Sequence, residues 1–128
     1  MSATILVDTS IWVLHFRQTD AHLQKLLARD SVLMHSLVHA ELACGTPPAP
    51  RATTLASLAL LRPCKEATTA ETLAFIEKRQ LYGRGCGFVD LSLLASTLLT
   101  PGALLWTADR RLADTAFQEG VAYMPPNH

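Results

Sequence analysis

The chain has 128 residues, 49% of them hydrophobic and 17% charged, with eleven basic and eleven acidic side chains and a formal net charge of zero. That length suits one domain over residues 1–128, and the apolar content suffices for a core and excludes a disordered chain. Zero net charge excludes a protein that gathers nucleic acid through a global basic field, so any RNA contact must come from a local patch.

The elements alternate between strand and helix. Residues 3–7 (ATILV) are an apolar run suited to a strand covered on both faces. Asp8-Thr9-Ser10 ends it, and Thr9 or Ser10 can cap a short helix carrying Trp12, Val13 and Phe16. A second helix is expected over Asp20 to Arg29, a second strand over 32–34 and a third helix over 36–44, stopped by Gly45 and a proline-rich loop. Helix resumes over Arg51 to Leu58, followed by a weak third strand over Leu60 to Cys64 that contains Pro63. Thr68-Thr69-Ala70-Glu71 has capping-box spacing and opens a helix to Tyr82. Gly83, Gly85 and Gly87 form a loop before a helix over Val89 to Leu99, which Pro101-Gly102 stops. A strand over Ala103 to Trp106, a helix over Arg110 to Gln118 and a last strand over Val121 to Tyr123 complete the chain. Alternation of this kind predicts an α/β fold with a parallel sheet and helices on both faces.

Four acids stand out. Asp8 and Asp109 follow apolar strands, where open parallel sheets bind ligands, although each could equally be a helix N-cap. Asp90 shares a helical face with Leu93, Leu94, Thr97 and Leu98, and Glu41 shares one with Leu37, Val38 and Cys44. A carboxylate on an apolar stripe is costly to bury unless paired, so either acid points to a partner or sits at the solvent end of its stripe. Four carboxylates converging on one pocket, in a chain with only three lysines, point to a divalent cation. Oxygen-only ligation favours Mg²⁺ or Mn²⁺ over Zn²⁺.

These pieces resemble the PIN-domain ribonucleases, and most closely the VapC-type toxins of bacterial toxin–antitoxin pairs. The matching segments are Ile5 to Ser10, His39 to Leu42, Gly83 to Asp90 with Leu93 to Ser96, and Leu104 to Leu112, spread in order over almost the whole chain. The resemblance implies a three-layer α/β/α domain with five parallel strands in the order 3-2-1-4-5, which sets Asp8 beside Asp109. It implies an endoribonuclease with Mg²⁺ or Mn²⁺ held chiefly by Asp8 and Asp90, and with Glu41 and Asp109 completing the catalytic pocket. Thr9, Ser10 or Thr107 would orient a carboxylate or water. It implies a homodimer and a cognate VapB-type antitoxin, and products with a 5′-phosphate and a 3′-hydroxyl. Ser92 stands where close relatives often carry histidine, which bears on substrate contacts. Arg84, Arg110 and Arg111 flank the motif acids and are the expected phosphate contacts for RNA.

Other features carry less. Cys44, Cys64 and Cys86 form no C-x-x-C and fit reduced thiols. The N-terminus lacks a basic segment, and no stretch is apolar enough to span a bilayer, so a cytoplasmic protein is expected. His35 and His39 have zinc-ligand spacing but no H-E-x-x-H, and Trp12, Phe16, Phe75 and Trp106 read as core. A phosphoryl-receiving signalling domain would need a lysine after a late strand, and the tail VAYMPPNH has none. A metal-dependent adhesion module fails at Trp12, where Asp-x-Ser-x-Ser needs serine. The remaining rivals are a catalytically weak PIN-fold module that binds RNA or protein, and a phosphatase or DNA nuclease using the same acids.

Overall fold

The computed structural model describes residues 3–126. Strands β1 (Thr4–Val7), β2 (Val32–Met34), β3 (Arg62–Pro63) and β4 (Ala103–Trp106) pair in parallel in the order β3-β2-β1-β4. Helices α1 (Thr9–Arg17), α2 (Ala21–Ala28), α3 (Ser36–Cys44), α4 (Arg51–Ala59), α5 (Thr69–Arg79), α6 (Phe88–Leu99) and α7 (Arg110–Gln118) flank the sheet. Successive strand residues face opposite sides of a sheet. Ile5, Leu6 and Val7 are all buried, so both faces of the central strand are covered and the fold has three layers.

Among the described residues the sheet has four strands, one fewer than expected. The segment expected as a fifth strand, Val121 to Tyr123, makes a single bridge from Ala122 to Leu105. Leu105 N–H donates to the Val121 carbonyl (2.7 Å) and Tyr123 N–H to the Leu105 carbonyl (2.8 Å). Gly120 turns with φ 77° just before it, and Pro125 and Pro126 follow within three residues. Prolines offer no N–H, so the ladder cannot continue.

The third strand is shorter than expected because the last turn of α4 takes up its start: Leu60 and Leu61 donate to the carbonyls of Ser57 and Leu58. Pro63 is tolerated because β3 is an edge strand. Helix α5 opens with the expected capping box between Thr68 and Glu71. It ends three residues before Tyr82, where Gln80 adopts a left-handed conformation (φ 54°).

Helix α6 is the hub of the core. Every residue from Leu91 to Thr97 is buried, so it is covered all round rather than along one stripe. Its hydroxyls are satisfied within the helix: Ser96 Oγ donates to the Ser92 carbonyl and Thr97 Oγ1 to that of Leu93, both at 2.7 Å. Trp12 and Trp106 are buried, with Phe16 and Phe75 packed against them and their neighbours, as expected of core aromatics. Among the described residues, no helix is long and apolar enough to cross a membrane.

Candidate active site

The order β3-β2-β1-β4 places the chain reversal between β1 and β4, and ligand sites in such sheets lie beyond the strand ends at that point. Asp8 leaves β1 there. Its N–H donates to the Trp106 carbonyl of β4 (2.9 Å), which pins the two strand ends together. Asp8 occupies the N-cap position of α1, but its side chain makes no capping bond. Instead its Oδ2 accepts from Ser10 Oγ and from Thr107 Oγ1, each at 2.7 Å. Both hydroxyls also accept: Ser10 Oγ from Ala108 N–H and Thr107 Oγ1 from Asp109 N–H, each at 3.0 Å. The network is fully directional, so it holds Asp8, which is buried, in one orientation.

Glu41 departs from its sequence reading. The buried residues of α3 are Val38 and Leu42, whereas Glu41 and Cys44 are exposed. Glu41 thus lies on the solvent side of the helix, where it avoids the desolvation cost that its apolar neighbours suggested. Its Oε1 accepts from Thr9 Oγ1 at 2.6 Å, which turns the carboxylate toward the start of α1.

Asp90 matches its reading more closely. It is half-buried in the first turn of α6, directly before the buried stretch. Its Oδ2 accepts from Gly87 N–H (3.2 Å), and the positive end of the helix favours its charge. Burial nevertheless raises its pKa above the usual aspartate value; the Gly87 bond opposes this, and Asp8, Asp109 and Glu41 add to the rise. The three other acids therefore act on Asp90 through space.

Asp109 is the N-cap of α7. Its Oδ1 accepts from Leu112 N–H at 3.0 Å, and the residue is exposed. The capping role seen in the sequence is real, and its field still reaches Asp90. Among the described residues, Arg79 pairs with Glu119, and the neutral His35 lies 3.8 Å from Glu66; neither contact engages these four acids. Nor do three of them stand close enough to form a ready-made metal cage.

The arginines are dispersed. Arg111 lies across Gly85, where an added Cβ would meet its Cδ at 2.6 Å, and Gly85 also has φ +85°. Its charge acts on Cys86, a half-buried thiol whose pKa burial raises, with help from Asp90 and Asp109. Arg84 Nη1 donates to Gln118 Oε1, so it reaches the far end of α7 from Asp109. Arg110 is exposed at the start of α7. Ser92, expected to bear on substrate contacts, is buried inside α6 and its carbonyl is occupied by Ser96.

Sequence reasoning missed His35. The residue follows β2 and is buried, with Nδ1 accepting from Leu37 N–H at 3.0 Å as the N-cap of α3. Its place between a strand and an apolar helix was the available signal. His39 turns to the Leu55 carbonyl instead (2.9 Å), so the spacing of the two histidines is not that of a metal pair.

Fold and site together define a small α/β domain with an acid-lined site at the carboxyl edge of its parallel sheet. The family model described as PIN domain matches residues 5–118. Ribonuclease VapC32 of Mycobacterium tuberculosis, from two strains, is 45% identical over 118 residues, which cover 92% of this chain and 94% of the relative. The chain belongs to the PIN-domain family, on its VapC-type ribonuclease branch.

Proposed function

We propose that this protein is a Mg²⁺- or Mn²⁺-dependent endoribonuclease, the toxin of a type II toxin–antitoxin pair. The observation that carries the reading is the convergence of Asp8, Glu41 and Asp109 on the half-buried Asp90, with no cationic side chain paired to any of them among the described residues. Four acids so placed repel one another and an RNA backbone. The donor set fits a hard cation: it is all oxygen, and Mg²⁺ takes one or two carboxylates and keeps several waters. Asp8 and Asp90 would hold the ion, with Glu41 and Asp109 completing the charge.

A bound ion of this kind neutralises phosphate charge and acidifies a water. The chain's own residues do the rest. Ser10 and Thr107 hold the Asp8 carboxylate through Oδ2. Thr9 aims Glu41. A carboxylate of the site would help take the proton of the attacking water. Arg111 and Arg110, at the start of α7 beside Asp109, receive the RNA backbone, with Arg84 further along. The exposed side chains of Leu73, Phe117 and Met124 are the kind of apolar surface that a second copy or a VapB-type antitoxin covers.

Incubation with RNA should give cleavage with Mg²⁺ or Mn²⁺ and none with EDTA, and single-stranded DNA and a phosphomonoester should survive. Cleavage that persists in EDTA would refute metal dependence. A catalytically weak binding module is the second reading, favoured by the open spacing of the acids; RNA bound but uncut in Mn²⁺ would select it. Thr107→Val should weaken Mn²⁺ binding by about 10-fold, because it leaves Asp8 with one hydroxyl partner and little change of shape. Calorimetric titration showing parental affinity in that variant would remove Thr107 from its orienting role.

A further inference from the structure

Glu41 stands on α3 and Asp90 on α6. Helix α3 packs on α1 and α4, whereas α6 packs on α5, α7 and β4. Both helices share one core, and polar links between them help to set their relative placement. His35 supplies one. Its Nδ1 accepts from Leu37 N–H, so the ring proton resides on Nε2, which lies 3.0 Å from Ser96 Oγ in the middle of α6. Ser96 Oγ spends its own proton on the Ser92 carbonyl (2.7 Å), so it accepts from His35 and also from Ala67 N–H (2.9 Å). Every donor in this buried cluster has an acceptor only when His35 is the neutral Nε2–H tautomer.

The register of this link is informative. Glu41 lies six residues after His35, and Asp90 lies six residues before Ser96. At 1.5 Å per residue both acids stand about 9 Å along their helices from the link.

We propose that His35 is a positioning residue for the acidic site, bracing α3 against α6 through Ser96 so that Glu41 and Asp90 keep the separation a shared cation needs. This rests on the metal-dependent reading of the four acids. The two ring nitrogens do separate jobs, and two substitutions divide them. His35→Asn keeps an acceptor near Nδ1 for the cap and loses the reach to Ser96. His35→Gln places an amide N–H near Nε2 and loses the cap.

Mn²⁺ affinity by calorimetric titration, with thermal midpoints alongside, reads the difference. His35→Asn and Ser96→Ala should each weaken Mn²⁺ binding by about 10-fold, and His35→Gln should return it to within about 3-fold of the parent, although both His35 variants melt lower. Parental affinity in His35→Asn and Ser96→Ala would overturn the brace. Equal weakening in His35→Asn and His35→Gln would also overturn it, as the mark of a role in folding alone. Failure of the unaltered protein to bind Mn²⁺ would instead overturn the reading of the acids, and the brace's purpose with it.

Discussion

Replacing Asp90 with asparagine is expected to cut RNA cleavage by about 10²–10⁴-fold while raising the thermal midpoint of the metal-free protein. The two effects have one cause. Burial first, and then the fields of Asp8, Asp109 and Glu41, make the charged form of Asp90 costly, and the Gly87 N–H offsets only part of that. The native pKa is therefore raised above the unfolded value, so the folded state holds this proton more tightly than the unfolded chain does. Stability from this group is gained as pH falls through the raised native pKa, and it is lost as pH rises from the ordinary aspartate value of 3.8 through the native one. Asparagine is neutral at every pH and should erase that loss. The rise in thermal midpoint should accordingly be present at pH 7 in EDTA and vanish at acid pH, where Asp90 is already protonated. Thermal melts at both pH values, beside a cleavage assay in Mn²⁺, check the pair. An asparagine variant that cleaves normally, or that melts lower in EDTA at pH 7, would show that Asp90 is structural.

The second large effect is on the core. Leu94→Ala should cost about 2–5 kcal/mol, a large share of the roughly 5–15 kcal/mol that holds a domain of this size together. Leu94 is fully buried, and it lies within a stretch of α6 covered on all sides, so there is no solvent face toward which the helix can relax. One turn earlier on the same helix stands Asp90, so the scaffold of the site and the centre of the core are one element. Urea unfolding should show a lower midpoint at an unchanged slope. A loss below about 1 kcal/mol would mean that α6 has more room than its burial indicates.

Much of this was legible in the chain itself. The apolar runs at 4–7, 32–34 and 103–106, each followed by a helix, define the parallel sheet and the edge on which Asp8 and Asp109 fall. The Thr68–Glu71 box and Gly45 mark helix ends because capping is local chemistry that needs no tertiary partner. Asp90 was legible because a carboxylate before a long buried helix conflicts with its surroundings. Glu41 was chosen by the same rule, yet periodicity cannot say which side of an apolar helix is covered, and α3 turns that residue to solvent. The fifth strand was read from its apolar residues, whereas the prolines beyond it limit it to one bridge.

By itself, then, the sequence determined the order of the elements and the carboxyl-edge placement of Asp8 and Asp109, since these follow from local patterning and from strand-then-helix alternation. Only the tertiary structure decided how the acids are held and how they act on one another. Ser10 and Thr107 meet at Asp8 across 97 positions of chain, and His35 meets Ser96 across 61. Contacts at such separations leave no periodic trace, because they are set by how helices seat on a twisted sheet.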